Sequence, residues 1–148
     1  QTIFMVDDLD ALHRGGRVPK SVAVVGGALD VKPLLTFDLD GALSVVGVTR
    51  GRKKGLRKMA SFYERAHNTD MFSSVVAIGN ADCPKDAERL ADMIHKTDET
   101  AVTMISTIGP TIGCHVGPGM VSCCFWGPDR RKGMSVSDRI AQSVRGKK

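Results

Sequence analysis

Aromatic residues are scarce in this 148-residue chain: one Trp, one Tyr and five Phe. No run of aromatics lies among the basic residues, so the stacking platforms on which single-stranded nucleic acids lie are lacking. The four cysteines, Cys83, Cys114, Cys123 and Cys124, form no Cys-x-x-Cys pair. Adjacent positions of a strand point to opposite faces, so Cys123 and Cys124 do not act together. They read as buried thiols of a cytoplasmic protein, not as a zinc site or a disulfide frame. No apolar run approaches the roughly 20 residues of a membrane-spanning helix. The opening Gln-Thr-Ile-Phe-Met-Val-Asp-Asp has neither an initiator Met nor a basic-then-apolar leader. The chain is therefore expected to be cut or processed, and half of something longer. Walker loops and nucleophile–base pairs are missing too, which argues against an enzyme.

What is present is ordinary for one globular domain, with 42% apolar and 25% charged residues. The net charge of +5 is uneven: residues 128–148 hold seven Lys/Arg and two Asp/Glu, while residues 1–127 hold fourteen of each. The expected organisation is a domain over 1–127 and a basic tail over 128–148. Since the excess sits in the tail, it says little about the domain.

The stretch Ile108–Gly119 organises the rest. Its four glycines and two prolines in twelve residues predict a tight, rigid turn, because ordinary helix or strand cannot run through all of it. His115 is its one ionisable side chain. Imidazole donates, accepts and carries charge near neutral pH, so His115 is a candidate to hold a carboxylate or phosphate, or else is satisfied by backbone.

Six strands are predicted: Thr2–Val6, Lys32–Asp38, Ala42–Thr49, Ser73–Gly79, Thr100–Thr107 and Met120–Trp126. Asp40-Gly41 makes the second and third a hairpin. Asp7 or Asp8 is expected to cap a helix with Leu9 and Leu12 inward, ended by Gly15-Gly16. Lys20–Leu29 reads as a helix apolar on nearly every side. Its Gly26 and Gly27 suit either close helix–sheet packing or something lying against bare backbone. Val22, Val24, Val25, Ala28 and Leu29 would line an apolar cavity. Arg50–Lys58 packs six cations into nine residues at the start of a helix whose inner face is Leu56, Met59, Ala60, Tyr63 and Ala66. Cations there oppose the helix dipole, so they either serve an anionic partner or form a solvated face. Pro84 starts another helix with Ala87, Leu90, Ala91 and Ile94 inward. The fold class is α/β in two layers, with helices packed on a mixed sheet of about six strands.

Five motifs in order resemble those of one family. Val6–Arg17 resembles its DxLxxLxxGGR, Val31–Leu35 its xKPxL, Asp40-Gly41 its DG, Thr49–Gly55 its RGxKKA, and Ile108–Gly119 its IGxVIGxHxGPG. Together they resemble the C-terminal domain of the DegV family, bacterial fatty-acid-binding proteins. The resemblance implies a preceding N-terminal α/β domain and a long-chain fatty acid between the two domains, with no cofactor. Members resembling fatty-acid kinase binding subunits present the carboxylate to a separate ATP-dependent kinase, whose acyl phosphate feeds phospholipid synthesis.

Carried onto this chain, His115 bonds the carboxylate beside hydroxyls of the other domain. Thr111, Ile112, Gly117 and Gly119 join it from the same stretch, and Val25, Gly26 and Gly27 from the apolar helix. Arg17, Arg50 and Lys53 are the implied contacts to kinase or phosphate. Gly55 stands where the family often has Ala, and Cys114 where Thr or Ser is common. Two rival readings remain: a small-molecule enzyme using His115 as general acid or base, which needs a second ionisable group beside it, and a nucleic-acid module using the basic stretch and tail.

Overall fold

An unbroken apolar run suits a strand covered on both faces, and the run at the start of the chain takes such a place. In the computed structural model, residues 1–7, 9–19, 30–67 and 74–129 are described. Their strands are β1 (Thr2–Met5), β2 (Val31–Phe37), β3 (Leu43–Arg50), β4 (Val75–Asn80), β5 (Val102–Thr107) and β6 (Val121–Phe125). They form one sheet in the order β3-β2-β1-β6-β4-β5. Every neighbouring pair is antiparallel except β4 and β5. The expected mixed α/β sheet is therefore present, with helices α1 (Asp10–Arg14), α2 (Arg52–Ala66), α3 (Pro84–His95) and α4 (Pro110–Val116). The apolar helix expected over Lys20–Leu29 lies outside the described residues, as do positions 130–148 of the tail.

Alternation along the strands sorts their side chains between two layers. Ile3 and Met5 of β1, Leu34 of β2, Val76 and Ile78 of β4, and Val121, Cys123 and Phe125 of β6 face α2 and α3. Leu56, Met59 and Tyr63 of α2, with Ala87, Leu90 and Ile94 of α3, complete that core. These are the inner faces that 3.6-residue spacing predicts. The two helices run side by side in the same direction. Arg52 meets Asp86 at their starts, and at the other end the hydroxyl of Tyr63, in the last turn of α2, donates at 2.5 Å to Asp98 just past α3. Burial, and then the Asp98 carboxylate, push the Tyr63 phenol above its ordinary value. The bonds from Tyr63 and Thr100 hold Asp98 below its own. Gly55 explains one departure from the motif: a Cβ there would lie 2.2 Å from the buried Met5 sulfur, so helix and strand approach through bare backbone.

Among the described residues, the other side of the sheet is covered at one end. Phe4, Val6 and Leu35 meet Leu9, Leu12 and Val18 of the α1 region and Val116 and Met120 around α4. Two layers thus make the main body, and this second, smaller cluster closes one end of the opposite face. Asp7 does not cap α1 as expected. The cap position is Leu9, with no side-chain bond, and the Asp7 carboxylate is taken by Lys32 at 3.2 Å and Arg52 at 2.5 Å. The hairpin turn is as predicted: Gly41 has φ +80° and the Asp38 carboxylate accepts from the backbone of Asp40 and Ala42. A bulge follows. Leu34 pairs with Gly47 but Leu35 with Val45, leaving Val46 as the extra residue of β3. The Gln1 amino group donates to the Phe125 carbonyl at 2.7 Å and its side chain to Pro128 at 2.9 Å, so residues 1 and 128 are neighbours.

Candidate functional site

The stretch expected to make a tight, rigid turn contains a short helix as well as the turn. Pro110 supplies a preset φ in the first turn, Val116 buries itself in the smaller cluster, and seven residues of helix follow from those two anchors. The turn begins only at Gly117 (φ +72°) and continues through Gly119 (φ +82°). Its backbone is clamped: Gly119 N–H donates to Ala81 O at 2.7 Å, and Ala81 N–H to Met120 O at 2.9 Å. Met120 O also accepts from the Cys83 thiol at 3.1 Å. The site glycines therefore act as the stop of α4 and the bend behind it.

His115 sits half-buried in the last turn of α4, and no described residue makes a hydrogen bond to it. Its ring lies against Gly15, the residue that ends α1. A Cβ on Gly15 would be 2.5 Å from Nδ1 of His115, and one on Gly117 would be 3.2 Å from the Ala11 Cβ. The guanidinium of Arg17 folds back onto the Gly15 carbonyl at 2.5 Å. The Gly-Gly-Arg motif and the histidine motif are thus brought together through one residue.

The other predicted residues are placed differently. Thr111 and Ile112 are exposed on α4. Arg50 ends β3 opposite Val31, and Lys53 follows on the first turn of α2. Both are exposed, and no described contact joins them to His115. Val25, Gly26, Gly27 and the wall candidates Val22, Val24, Ala28 and Leu29 lie outside the described residues. Cys114 departs from the expectation of buried thiols. It is exposed, because α4 anchors itself through Val116 and turns the Thr111–Cys114 side outward. Cys123 is fully buried, and burial pushes its thiol up to about 12.

Sequence reasoning missed two features. The first is Arg52, one of the six cations at the start of α2. Its Nε bonds Asp86 at 2.6 Å and its Nη1 bonds Asp7, tying α2 to α3 and to the end of β1. Arg89 adds a second bond to Asp86 at 2.9 Å. Desolvation pulls the guanidinium down, but the two carboxylates outweigh it and its pKa rises. Gly119 packs directly on this group, with its absent Cβ 2.9 Å from Asp7 Cγ and 3.2 Å from Arg52 Nη1. Burial also raises the adjacent Cys83 thiol despite the nearby Arg52 charge.

The second is the set of apolar side chains that the described residues leave exposed on the other sheet face. Val45 and Val48 on β3 share a face with Leu35 of the smaller cluster, by register. Val102 and Met104 on β5 pair with Val75 and Ala77, which point away from α2 and α3. Val48 is 53% exposed, Val102 54% and Met104 60%. These exposed apolar side chains sit on the two edge strands of that face, β3 and β5, while Phe4, Leu35 and Ser122 between them are buried. The alternation Val-Thr-Met in β5 was the available signal.

The family model described as an uncharacterised protein of the DegV family matches residues 1–127. A DegV domain-containing protein of Clostridium perfringens is 36% identical over 124 residues, 84% of this chain and 42% of the relative. The chain belongs to the DegV family. Among solved structures, a fatty acid binding DegV family protein from Streptococcus agalactiae is 29% identical, with a TM-score of 0.69 over 82% of this chain and 42% of that one. The Fatty Acid Kinase B3 protein of Streptococcus pneumoniae, loaded with linoleic acid, shares the fold at 17% identity, with a TM-score of 0.76 over 86% of this chain and 44% of that one. The chain spans less than half the length of each of these relatives.

Proposed function

We propose that this chain is the carboxylate-holding, C-terminal half of a two-domain carrier of long-chain fatty acids, without a catalytic step of its own. The observation that carries the reading is His115, a half-buried imidazole whose ring no described residue bonds, on a helix of the sheet face whose edge strands expose Val48, Val102 and Met104. About 15 methylenes at roughly 0.8 kcal/mol each dominate binding of such a ligand. Its carboxylate, once withdrawn from water, needs a donor or stays protonated. His115 supplies one, and hydroxyls of a preceding domain supply the rest. The twofold length of the relatives and the fatty-acid binding named for the streptococcal protein support this division of labour.

Arg17, Arg50 and Lys53 then serve the second partner, a cytoplasmic fatty-acid kinase subunit that phosphorylates the presented carboxylate. Arginine suits that task through its planar, two-pronged donors. Arg17 is next to His115 through Gly15, and Arg50 and Lys53 add exposed charge where α2 begins. The acid–base reading lacks its second group, since no described carboxylate or hydroxyl lies within hydrogen-bond reach of His115.

Native mass spectrometry with organic extraction of the longer protein tests this directly. The expected result is one co-purified acyl chain of about 14–18 carbons, retained by burial of its methylenes, and a weaker hold on it in His115→Ala. A protein that carries no acyl chain and takes none up overturns the carrier reading.

A further inference from the structure

Gly15 and Gly16 are adjacent glycines that are glycine for different reasons. Gly16 has φ +72°, and a Cβ there would meet nothing within 4 Å. Its demand is conformational, since side chains seldom adopt that region. Gly15 has φ −75° and ψ −2°, ordinary right-handed helical backbone open to any residue. What excludes a side chain at Gly15 is the imidazole of His115, with Nδ1 2.5 Å and Cε1 3.4 Å from the position a Cβ would occupy.

We propose that Gly15 is a positioning residue for His115: its bare Cα is the seat on which the Nδ1 and Cε1 edge of the ring rests, leaving the Nε2 edge to face the ligand carboxylate. This rests on the carrier reading for the ligand, but the seat itself is a matter of packing. Any side chain at Gly15 must push the ring away by roughly 1 Å to restore ordinary contact distance. A hydrogen bond to a carboxylate loses most of its value over such a displacement and tilt. Two neighbours hold the seat in place. Arg17 bonds the Gly15 carbonyl from outside, and one helical turn earlier Ala11 packs on Gly117. Helix α1 thus touches α4 at two points, one fixing the end of the helix and one fixing its histidine.

The test uses the 148-residue chain as Gly15→Ala, Gly16→Ala, His115→Ala and the double variant Gly15→Ala/His115→Ala. The first readout needs no ligand: long-range proton–nitrogen NMR of the histidine rings. Gly15→Ala is expected to move the His115 ring resonances and leave those of His67 and His95 in place. The second readout is the affinity for palmitate labelled at its carboxyl carbon, expected to fall tenfold or more in Gly15→Ala.

Alanine suits the backbone at Gly15 and opposes it at Gly16. The melting temperature should therefore hold in Gly15→Ala and drop in Gly16→Ala, whose folded fraction keeps its palmitate affinity. In the double variant the loss should not exceed that of His115→Ala alone, the mark of two residues acting through one contact. An unmoved His115 ring, or an equal further loss when His115 is already absent, overturns the proposal. Failure of the unsubstituted chain to bind palmitate counts against carboxylate binding by this chain alone and leaves the ring resonances to decide the role of Gly15.

Discussion

The two faces of the sheet are built from similar residues and put to opposite uses. On one, Met5, Leu34, Val76, Ile78 and Val121 are sealed beneath α2 and α3, with almost no exposed apolar surface. On the other, Val48 on one edge strand and Val102 and Met104 on the opposite one are more than half exposed, and among the described residues the short helices α1 and α4 cover an end. Stability is stored where the two long amphipathic helices lie. The second face keeps apolar side chains exposed at its edges, and its described short helices hold the histidine and a smaller core. Composition alone does not separate such faces, because valine and methionine serve both.

The sharpest way to break this contrast is to truncate the sealed side. Leu90→Ala opens a cavity in fully buried surroundings and should cost about 2–5 kcal/mol. In urea the midpoint falls with an unchanged slope, while ligand affinity of the folded fraction stays the same. A loss below about 0.5 kcal/mol, the level of ordinary surface changes, would deny that this face carries the stability.

A smaller effect is expected at the far end of the same helices. Tyr63→Phe removes the bond to Asp98 and should cost about 1 kcal/mol. The pH dependence has a definite sign. Tyr63 is raised in the fold, so its contribution is present below the ordinary phenol value and declines above about pH 10, where the unfolded chain ionises first. Asp98 is depressed, so its contribution is present above about pH 4 and is lost as pH falls through the lowered folded value. Melting curves across pH should therefore flatten at both extremes in Tyr63→Phe, and curves parallel to the parent would show that the pair does not couple to stability.

The smallest effect on stability belongs to the open face. Met104→Ser should change it by less than about 0.5 kcal/mol yet weaken acyl-chain retention. If it destabilises as much as Leu90→Ala, the face is covered in solution and the contrast fails.

Most of the architecture could be read from residue spacing. The inner faces of α2 and α3, all six strands and the Asp-Gly turn follow from local periodicity, which acts within a few residues. What escaped depends on distant partners. Arg52 reads as one more surface cation until Asp7 and Asp86, 45 and 34 residues away, are folded beside it. Helix α4 was hidden by its own glycines and prolines, because its anchors, Val116 in the smaller core and Ala81 at the turn, lie in packing and not in propensity. Both motifs of the candidate site were legible as motifs. Their meeting at Gly15 was not, since it joins residues 15 and 115 through a contact that only the missing side chain reveals.

The ladder between β1 and β6 has a consequence for how the molecule comes into being. Thr2 pairs with Cys124 and Met5 with Val121, so the two strands at the centre of the sheet stand at opposite ends of the described chain. During synthesis β1 must wait, with its apolar run unpaired on that side, until β2 to β5 and then β6 have left the ribosome. The hairpin of β2 and β3 can form early, and the central seam closes last. Because residues 1 and 128 are neighbours, a circular permutant joined there and opened at the Asp38–Gly41 turn keeps every ladder. It also converts the slowest closure into a local hairpin, and should fold faster at equal stability.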